Sequence, residues 1–554
     1  MSLLHEKEEL RGDRENTDYG SLLSESSSSD KATTLVSEET EAKQEQQDAE
    51  FLLEDEQKGI FDDYGELAEL LELGTDGWTE EEDRRVRLKA DIRIMLWACV
   101  TFFSLQLNRI NIVNVLTTDF LFDLNMRQND FSLGQTVYFF SFMAMEIPTQ
   151  IMNQIMGPTI WIPTMMSLWA LVGLCQAFVT DRASYLAVRA LLGACSGGFV
   201  PGIALYVTGF YKAHEMATRL AMLWTMQYIT NAISALLGSA IFNMNGINGW
   251  HDWQWLFLLE GILTLSIGLA TFVMMPNFRK PNLSRFFTPR EQAILRARVI
   301  LDDPSKARQL DNRRTSTFAN LGFKDIYKTV TDIYLLPMFT LAFVGFLPSV
   351  ASYQFMTIMF RSYGYSTNES NLLVIPANMT IMTGMLFVSN YADKYKKRWP
   401  VPLMAMAWVL TFLIIMRSLP DSAPAGVRAF CVIFTVGFPY YTPVLISWLS
   451  ANTNDQHKRA LAVAIYNIGV QLGSLSAANV YRENDAPFYK NGNIALIVVA
   501  VFNVCLTLFT KVWYTRENKR REAIWSGMTL EQREHYSATT NDVANKRLDF
   551  RLQL

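Results

Sequence analysis

The chain has 554 residues, of which 50% are hydrophobic and 12% aromatic, and its formal net charge is −5. The apolar residues form runs that are too long for a soluble globular protein, and the basic residues do not alternate with aromatics along one polar face. The composition therefore excludes a soluble protein, argues against nucleic-acid binding and indicates a membrane protein.

Acidic residues are concentrated at the start of the chain, whereas the remainder is net basic. A segment this polar cannot bury enough apolar surface to fold alone, so we expect residues 1–78 to be a disordered acidic cytosolic tail. Thr79 and Glu82 have the spacing of a capping box, which predicts a short helix leading into the first apolar run.

Hydropathy predicts twelve membrane spans, six on each side of a basic, proline-interrupted segment at 276–331. We expect them near residues 92–118, 131–154, 158–178, 184–210, 217–243, 254–275, 332–360, 370–390, 399–418, 427–449, 459–480 and 494–515. This layout predicts an all-α membrane protein with the major facilitator fold, whose two six-helix halves cover 79–275 and 332–515. Residues 276–331 then form a cytosolic linker, with a helix from Pro289 along the cytosolic surface, and residues 516–554 form a cytosolic C-terminal tail.

Lysine and arginine are frequent in the loops on the side of the 276–331 segment, as in the run from Lys394 to Arg398, and rare in the loops on the other side. The positive-inside rule then places both termini in the cytosol. Of two glycosylation sequons, the one at Asn282 should be cytosolic and the one at Asn368 external.

Arg109 lies well inside the first predicted span, where a charge is costly unless it faces the bundle interior or a water-filled cavity. Asn108, Asn111 and Asn114 follow each other at three-residue spacing and form a slanted polar stripe on one side of the helix. A seam of hydrogen bonds between helices would account for the asparagines, but it does not need a permanent charge. We therefore expect Arg109, Asn108 and Asn111 to bind a solute.

Arg189 begins the fourth predicted span and lies nearer the outer surface, so a ligand role and an anchor at the membrane interface are both open. Gly193 and Gly197 have the spacing that lets a neighbouring helix approach closely, and Pro201 and Gly202 allow the helix to bend.

Side-chain amides in other spans could orient a polar solute or make ordinary hydrogen bonds between helices. The candidates are Gln227, Asn231, Gln354, Asn378, Asn467 and Gln471.

Few carboxylates lie inside the predicted spans. Glu146 has apolar neighbours in the second span, and Glu260 lies near the outer end of the sixth, where a solvated or paired group is expected. An apolar environment favours the neutral form of a carboxyl group, which suits a proton carrier, but each acid is equally well explained as the partner of a basic residue. Asp393 and Lys394, where the eighth span ends, are similar to the acidic–basic cytosolic gate of major facilitators.

A further resemblance depends on several stretches taken together. They are Asn108–Ile112, Glu146–Pro148, Arg189–Gly202, Tyr211–Arg219, Trp253–Gly261, Lys458–Arg459 with Asn467, and Asp485–Gly492. Over about residues 79–554 the chain resembles the fungal allantoate permease-like branch of the major facilitator superfamily, within the anion:cation symporters. Its Lys546–Arg551 stretch looks like the ending of a yeast sulfonate and sulfur-oxyanion permease of this branch.

The resemblance implies proton-coupled uptake of a small organic or inorganic anion at the plasma membrane, among carboxylates, vitamins, ureides and sulfur compounds. Two positions depart from the family pattern: the acid that usually precedes the first-span arginine is Asn108 here, and the usual fourth-span glutamate near Ser196 is missing. Both acids are associated with proton coupling in the family. The departures put the coupling mechanism in question and leave anion binding by Arg109 unaffected.

We therefore predict a secondary active transporter that works by alternating access and is not an enzyme. Its expected partners are a small anion, a proton and the lipid bilayer; we expect no cofactor, metal or nucleic acid, and a monomer. An exporter of an acidic metabolite and a nutrient sensor that no longer transports are the alternatives. Uptake of a radiolabelled solute into cells with and without the gene separates a transporter from a sensor.

Overall fold

The computed structural model describes residues 67, 70, 77–115, 118–241, 244, 246–277, 286–303, 323–420, 422–453, 455–477, 480–481, 485, 488–540 and 544–554. The tail expected at 1–78 lies almost entirely outside the described residues, as does Asn282 of the linker.

Before the linker, the described residues form a surface helix and six spans. The surface helix is α1 (Glu80–Ala90). A π-helical turn at Asp91–Met95 joins it to the first span, α2 (Leu96–Asn114). The short helix α3 (Phe120–Asp123) follows this span. The later spans are α4 (Gln128–Met156), α5 (Pro158–Cys175), the pair α6 (Arg182–Ser196) and α7 (Phe199–Thr208), α8 (Met216–Ile241) and α9 (Asp252–Met274).

The linker contributes α10 (Pro289–Asp302) and α11 (Phe323–Val330), and six further spans follow. These spans are the pair α12 (Leu336–Val344) and α13 (Leu347–Ser362), α15 (Val374–Tyr395), α16 (Pro400–Ser418), the pair α17 (Ala425–Val436) and α18 (Thr442–Ala451), α19 (Gln456–Ala477) and α20 (Lys490–Gly527). The short helix α14 (Thr367–Leu372) precedes the eighth span, and α21 (Leu530–Thr539) follows the twelfth. The predicted all-α fold with twelve spans is confirmed.

Eight spans are long and apolar enough to cross a membrane by composition alone, counted over the described parts of the chain. The second span, α4, is less apolar because one face carries polar residues that lie inside the protein. Glu146, Gln150 and Asn153 on this face are 0%, 1% and 2% exposed. Polar groups at membrane depth are expected to face the bundle interior, and these do.

The fourth span is broken at Gly197 and Gly198, where the chain becomes extended and then left-handed. Gly198 has φ +79°, and a Cβ atom there would lie 1.7 Å from the Thr149 hydroxyl, so only glycine fits. The sequence placed the bend at Pro201 and Gly202, and that expectation was wrong. Pro201 lies in the first turn of α7, where a missing N–H leaves no helical hydrogen bond unmade.

The predicted close packing at Gly193 and Gly197 is confirmed. A Cβ atom at Gly193 would lie 2.3 Å from the Tyr138 carbonyl oxygen, and one at Gly197 would lie 2.6 Å from that of Phe142. The fourth span therefore lies against the backbone of α4. This contact fixes the height at which Tyr138 and Phe142 stand in the bundle.

The two halves meet where α4 packs on α19 and where α8 packs on α15 and α18. We call the side of the membrane that carries α1 and α10 the linker side. α7, whose end leads to the linker side, also packs on α19, so the contact between halves extends from the middle of the bundle toward the linker side.

Ion pairs fasten α10 to α1 on the linker side. The Arg298 side chain is fully buried between Asp83, at 2.9 Å, and Glu215. Burial raises the pKa of Glu215, but Arg298 and Arg219 outweigh burial and lower it below its ordinary value. Both predicted helix starts are confirmed, since the Thr79 hydroxyl accepts from the Glu82 N–H and the Thr288 hydroxyl from that of Glu291. α10 itself is largely buried in the protein.

Candidate functional site

The asparagines of the first span point into the first half. Asn108 donates to the Thr264 hydroxyl of α9 at 3.1 Å. Asn111 donates to the Glu260 carboxylate at 2.9 Å and accepts from the Ser234 hydroxyl of α8. These contacts tie the first span to the fifth and sixth, while the side chain of Asn114 lies outside the described residues.

Arg109 points the other way, toward α4, because successive residues of a helix are turned by about 100°. Its Nε atom donates to the Tyr138 hydroxyl at 3.1 Å, and its guanidinium lies 4.5 Å from the centre of the Phe142 ring. Its Nη2 atom is buried and has no hydrogen-bond partner among the described residues.

Arg189 reaches the same tyrosine from the fourth span. Its guanidinium lies 4.5 Å from the centre of the Tyr138 ring, and its Nη2 atom donates to the Gln135 side chain. The residue is 1% exposed, and its Nε and Nη1 atoms are buried without a partner in the described structure. An anchor at the membrane interface would be accessible to lipid headgroups, so full burial argues against that alternative.

Two guanidinium groups thus flank Tyr138, one at its hydroxyl and one at its ring. Within the described residues their neighbours are a phenol, an amide and aromatic rings, and neither group forms a salt bridge with a carboxylate. A buried charge without a salt bridge is costly, and three of the guanidinium nitrogens have no hydrogen-bond partner in the described part of the chain. The arrangement is chemically suited to hold an anion.

Glu146 lies two turns further along α4 and joins the two halves. Its side chain is 0% exposed, and one carboxylate oxygen accepts a hydrogen bond from the Asn467 amide of α19. The other oxygen, Oε2, is buried without a partner among the described residues. Arg109 is close enough to act on this carboxylate electrostatically.

Glu260 differs from its expected setting near the outer end of the sixth span. It is 7% exposed and thus not solvated, and its recorded partner is the neutral amide of Asn111 instead of a basic residue. Its Oε1 atom is buried without a partner in the described structure.

The remaining predicted amides are spread over both halves. Within the first half, Gln227 accepts from the Gln106 side chain at 3.1 Å. Within the second half, Gln354 is exposed and donates to the Ser474 carbonyl at 3.2 Å. Asn231 and Asn378 lie on either side of the Tyr353 hydroxyl, and Gln471 is half-buried one turn from Asn467. No recorded contact of the described residues joins these five amides to the two arginines.

Sequence reasoning missed Gln135, Tyr138 and Phe142, although the signal was present. Tyr138, Phe142 and Glu146 follow each other at four-residue spacing and therefore share one face of α4. A buried face that carries an acid also marks its other members as candidates. Tyr353 and Tyr440, which lie close to Tyr228 of the fifth span, were also missed.

The predicted gate acid contacts the opposite half. Both carboxylate oxygens of Asp393 accept from backbone N–H groups in the first turn of α8, those of Ala217 at 3.1 Å and Thr218 at 2.7 Å. A carboxylate is stabilised at a helix N-terminus, so this contact joins the two halves on the linker side. Lys394 is exposed, with its amine 5.8 Å from the centre of the Tyr395 ring, and it takes no part in the contact.

Residues 98–478 match the profile of the Major Facilitator Superfamily. The chain belongs to this superfamily. This facilitator is therefore a multi-pass membrane transporter and not an enzyme.

Its relatives include an uncharacterized transporter of Saccharomyces cerevisiae, 33% identical over 483 residues that cover 86% of this chain and 88% of the relative. The major facilitator-type transporter hxnP of Emericella nidulans is 26% identical over 451 residues, covering 80% and 88%. Among solved structures, the proton:xylose symporter XylE aligns with a TM-score of 0.60 at 15% identity, covering 76% of this facilitator and 94% of that chain. The E. coli fucose:proton symporter aligns at 0.53 and 13%, covering 75% and 98%. At these identities the two symporters show the shared fold alone.

Proposed function

We propose that this facilitator takes up a small anion together with a proton, by alternating access between the halves at 79–275 and 332–515. The anion would be a carboxylate, a vitamin, a ureide, or a sulfonate or other sulfur compound, as in the allantoate permease-like branch that the sequence resembles. The working unit would be a monomer in the plasma membrane, with both termini in the cytosol.

The observation that supports an anion is the pair of arginines around Tyr138. Arg109 and Arg189 hydrogen-bond to neutral neighbours, and in the described part of the chain neither forms a salt bridge, although Arg109 lies close enough to Glu146 to act on it electrostatically. A guanidinium offers parallel N–H donors that match the two oxygens of a carboxylate or sulfonate. Binding an anion there would satisfy the unpaired nitrogens and balance the buried charge.

The proton would be carried by Glu146. The positions where the family usually has acids are occupied by Asn108 and Ser196, and Asn108 is engaged with Thr264. Glu146 is the buried acid that both lies near Arg109 and contacts the other half. A group in that place would sense solute binding and the movement of the halves together, with Glu260 as the second candidate.

Alternating access is supported by the contacts that close the linker side. Asp393 binds the first turn of α8, and the Arg398 guanidinium donates to the Ala213 carbonyl at 2.7 Å. Both contacts join the two halves through groups that water could replace, so the closure is reversible.

The test is anion uptake by the purified chain in proteoliposomes with an imposed pH gradient. A panel of radiolabelled carboxylates, a ureide and a sulfonate supplies the solute, each compared with an uncharged amide or alcohol analogue. Arg109→Lys should weaken uptake of the accepted anion roughly 10- to 100-fold, since a charged hydrogen bond contributes about 1.5–3 kcal/mol. Arg417→Lys, at an exposed arginine of α16, is the matched control and should transport normally.

Four results would overturn parts of this proposal. Equal uptake of the neutral analogues, or unchanged apparent affinity in Arg109→Lys, would remove the anion assignment. Solute moving only outward would make the chain an exporter. Solute-dependent binding without transport of any panel member would make it a sensor.

A further inference from the structure

The twelfth span continues far beyond the membrane. The helix α20 has 38 residues, which at 1.5 Å per residue is about 57 Å, whereas the hydrocarbon core is about 30 Å thick. Its last turns therefore stand on the linker side. They carry Asn518 and Arg521, which hold the segment that follows α21.

The segment from Asn545 to Leu554, here called the strap, lies along these turns. The Asn518 side chain makes two hydrogen bonds with the backbone of Leu552. It donates to the Leu552 carbonyl at 2.7 Å and accepts from the Leu552 N–H at 2.8 Å. Arg521, 1% exposed, donates through Nη1 to three strap carbonyls. They belong to Asn545, Arg547 and Phe550, at 2.9, 3.2 and 3.0 Å.

The far end of the strap reaches the spans that border the first half. Gln553 accepts from the Trp448 indole at 2.8 Å, and its N–H donates to the Asn452 side chain at 2.8 Å. The backbone N–H of Arg398, between the eighth and ninth spans, donates to the Leu554 oxygen at 2.9 Å. Leu552 is 2% exposed between these two sets of bonds.

Arg398 is thereby bonded on both sides. Its backbone holds the strap, while its guanidinium donates to the Ser447 hydroxyl of α18 at 3.1 Å and to the Ala213 carbonyl of the first half at 2.7 Å. The residue is 5% exposed, and α18 itself packs on α8 of the first half. Whatever fixes Arg398 and α18 in place also fixes the contact that closes the linker side.

We propose that the strap is a detachable ligand of its own transporter, and that its docking on α18, α20 and Arg398 stabilises the linker-side-closed arrangement. The bonds run mostly from side chains of the body to backbone groups of the strap. Water can replace such bonds at low net cost, so docking is reversible, with Leu552 as the apolar anchor. Undocking would free Arg398 to leave Ala213 and would shift the population toward the linker-side-open state. The strap thus sets how readily the proposed alternating access proceeds, and the inference rests on that proposal.

The experiment measures the opening of the linker side in the full chain. Spin labels at Lys212 of the first half and Lys397 of the second, in a variant without native cysteines, report the distance between halves by pulsed electron resonance. Arg521→Gln should raise the ratio of open to closed populations about tenfold, which corresponds to about 1.4 kcal/mol. Arg520→Gln is the matched control, because Arg520 pairs with the same Glu517 but points to solvent.

A second variant changes the strap alone, in case Arg521→Gln does not fold. Leu552→Asp should undock the strap and open the linker side to the same degree, whereas Leu530→Asp, at a residue that is 75% exposed, should not. A synthetic peptide of residues 545–554 added to a chain truncated after residue 544 should restore the closed distance.

Two patterns of failure are distinguishable. If the labelled wild type moves between two distances but neither strap variant nor the peptide changes their ratio, the strap is only packing and the inference falls. If one distance persists in every variant and with every anion of the uptake panel, alternating access itself is refuted.

Discussion

Glu146 accepts a hydrogen bond from Asn467 across the boundary between the two halves. Among the described residues, Glu146 is the acid near Arg109, and this bond joins it to α19. That helix must move if the halves separate. In the proposed mechanism, protonation, solute binding and opening would be linked at this contact.

The first prediction concerns this acid. Glu146→Gln mimics the permanently protonated form, so exchange of labelled for unlabelled anion should continue while accumulation driven by a pH gradient is lost. Proteoliposome flux with and without the gradient measures both. Glu260→Gln tests the second candidate, and accumulation should persist in it if Glu146 carries the proton, because Glu260 bonds Asn111 inside the first half. Undiminished accumulation by Glu146→Gln would make Glu146 a structural residue.

The second prediction concerns Tyr138, which the sequence analysis did not select. Tyr138→Phe removes the hydroxyl that accepts from Arg109, and one such hydrogen bond contributes about 1 kcal/mol. Apparent anion affinity should fall about fivefold with expression unchanged. Tyr185→Phe, which removes a hydroxyl that donates to the Phe131 backbone at 3.3 Å, should leave affinity unaltered. Equal effects of the two changes would show that Tyr138 only packs.

The third prediction concerns the gate. Asp393→Asn keeps the shape of the side chain but removes the charge from the start of α8, and such charge–dipole contacts contribute about 0.3–2 kcal/mol. The linker-side-open population should rise accordingly in the spin-label measurement. Lys394→Met removes an exposed neighbouring charge and should change nothing. A larger effect from Lys394→Met would reverse the roles assigned to the two residues.

The fourth prediction is a pH dependence of strap docking. Arg520 and Arg521 lower the pKa of Glu517, which lies beyond the twelfth span, from 4.5 to about 2. This lowered pKa gives the folded chain stability that is complete above pH 4.5 and is lost as the pH falls toward 2. Glu517 therefore stays ionised between pH 5 and 8 and keeps its hydrogen bond from Arg521, which holds the strap. Docking should therefore be constant from about pH 5 to 8, as followed by labels at Lys519 and Asp549.

Glu517→Gln supplies the control for this titration. It should weaken docking already at neutral pH, with no further change between pH 5 and 3. Release of the wild-type strap between pH 5 and 8 would mean that another group controls it.

The fifth prediction is the orientation. With the linker side in the cytosol, Asn282 should carry no glycan when the chain is expressed in a eukaryotic host. The measurement is electrophoretic mobility before and after glycosidase treatment. A glycan on Asn282 would show that the linker side faces away from the cytosol.

The fold was accessible from sequence because a bilayer imposes one length and one polarity on every span. Twelve apolar runs and the six-plus-six layout follow from that constraint, and so does the significance of a charge at Arg109. The direction of each side chain does not follow. Asn108 and Arg109 are adjacent in sequence, yet they face different spans, and only the neighbouring helices determine which face meets the centre.

Contacts between distant segments were equally hidden. Tyr138 shares a face with Glu146, which periodicity can show, but its position between Arg109 and Arg189 depends on how three spans pack. The contacts of the strap could not be predicted from the sequence either, because most of them involve backbone atoms, which are the same in every sequence. The break at Gly198 was misplaced by a few residues, since proline and glycine mark where a helix can bend but tertiary contact decides where it does.

That break gives the fourth span two independent parts. Gly197 and Gly198 interrupt the hydrogen-bond ladder, so α6 and α7 can tilt relative to each other without losing a helical bond. α6 carries Arg189 beside the candidate anion site, while α7 packs on α19 at the linker side. A change in the angle between α6 and α7 is taken up at the two glycines. Arg189 on α6 can therefore keep its contact with Tyr138 while α7 moves.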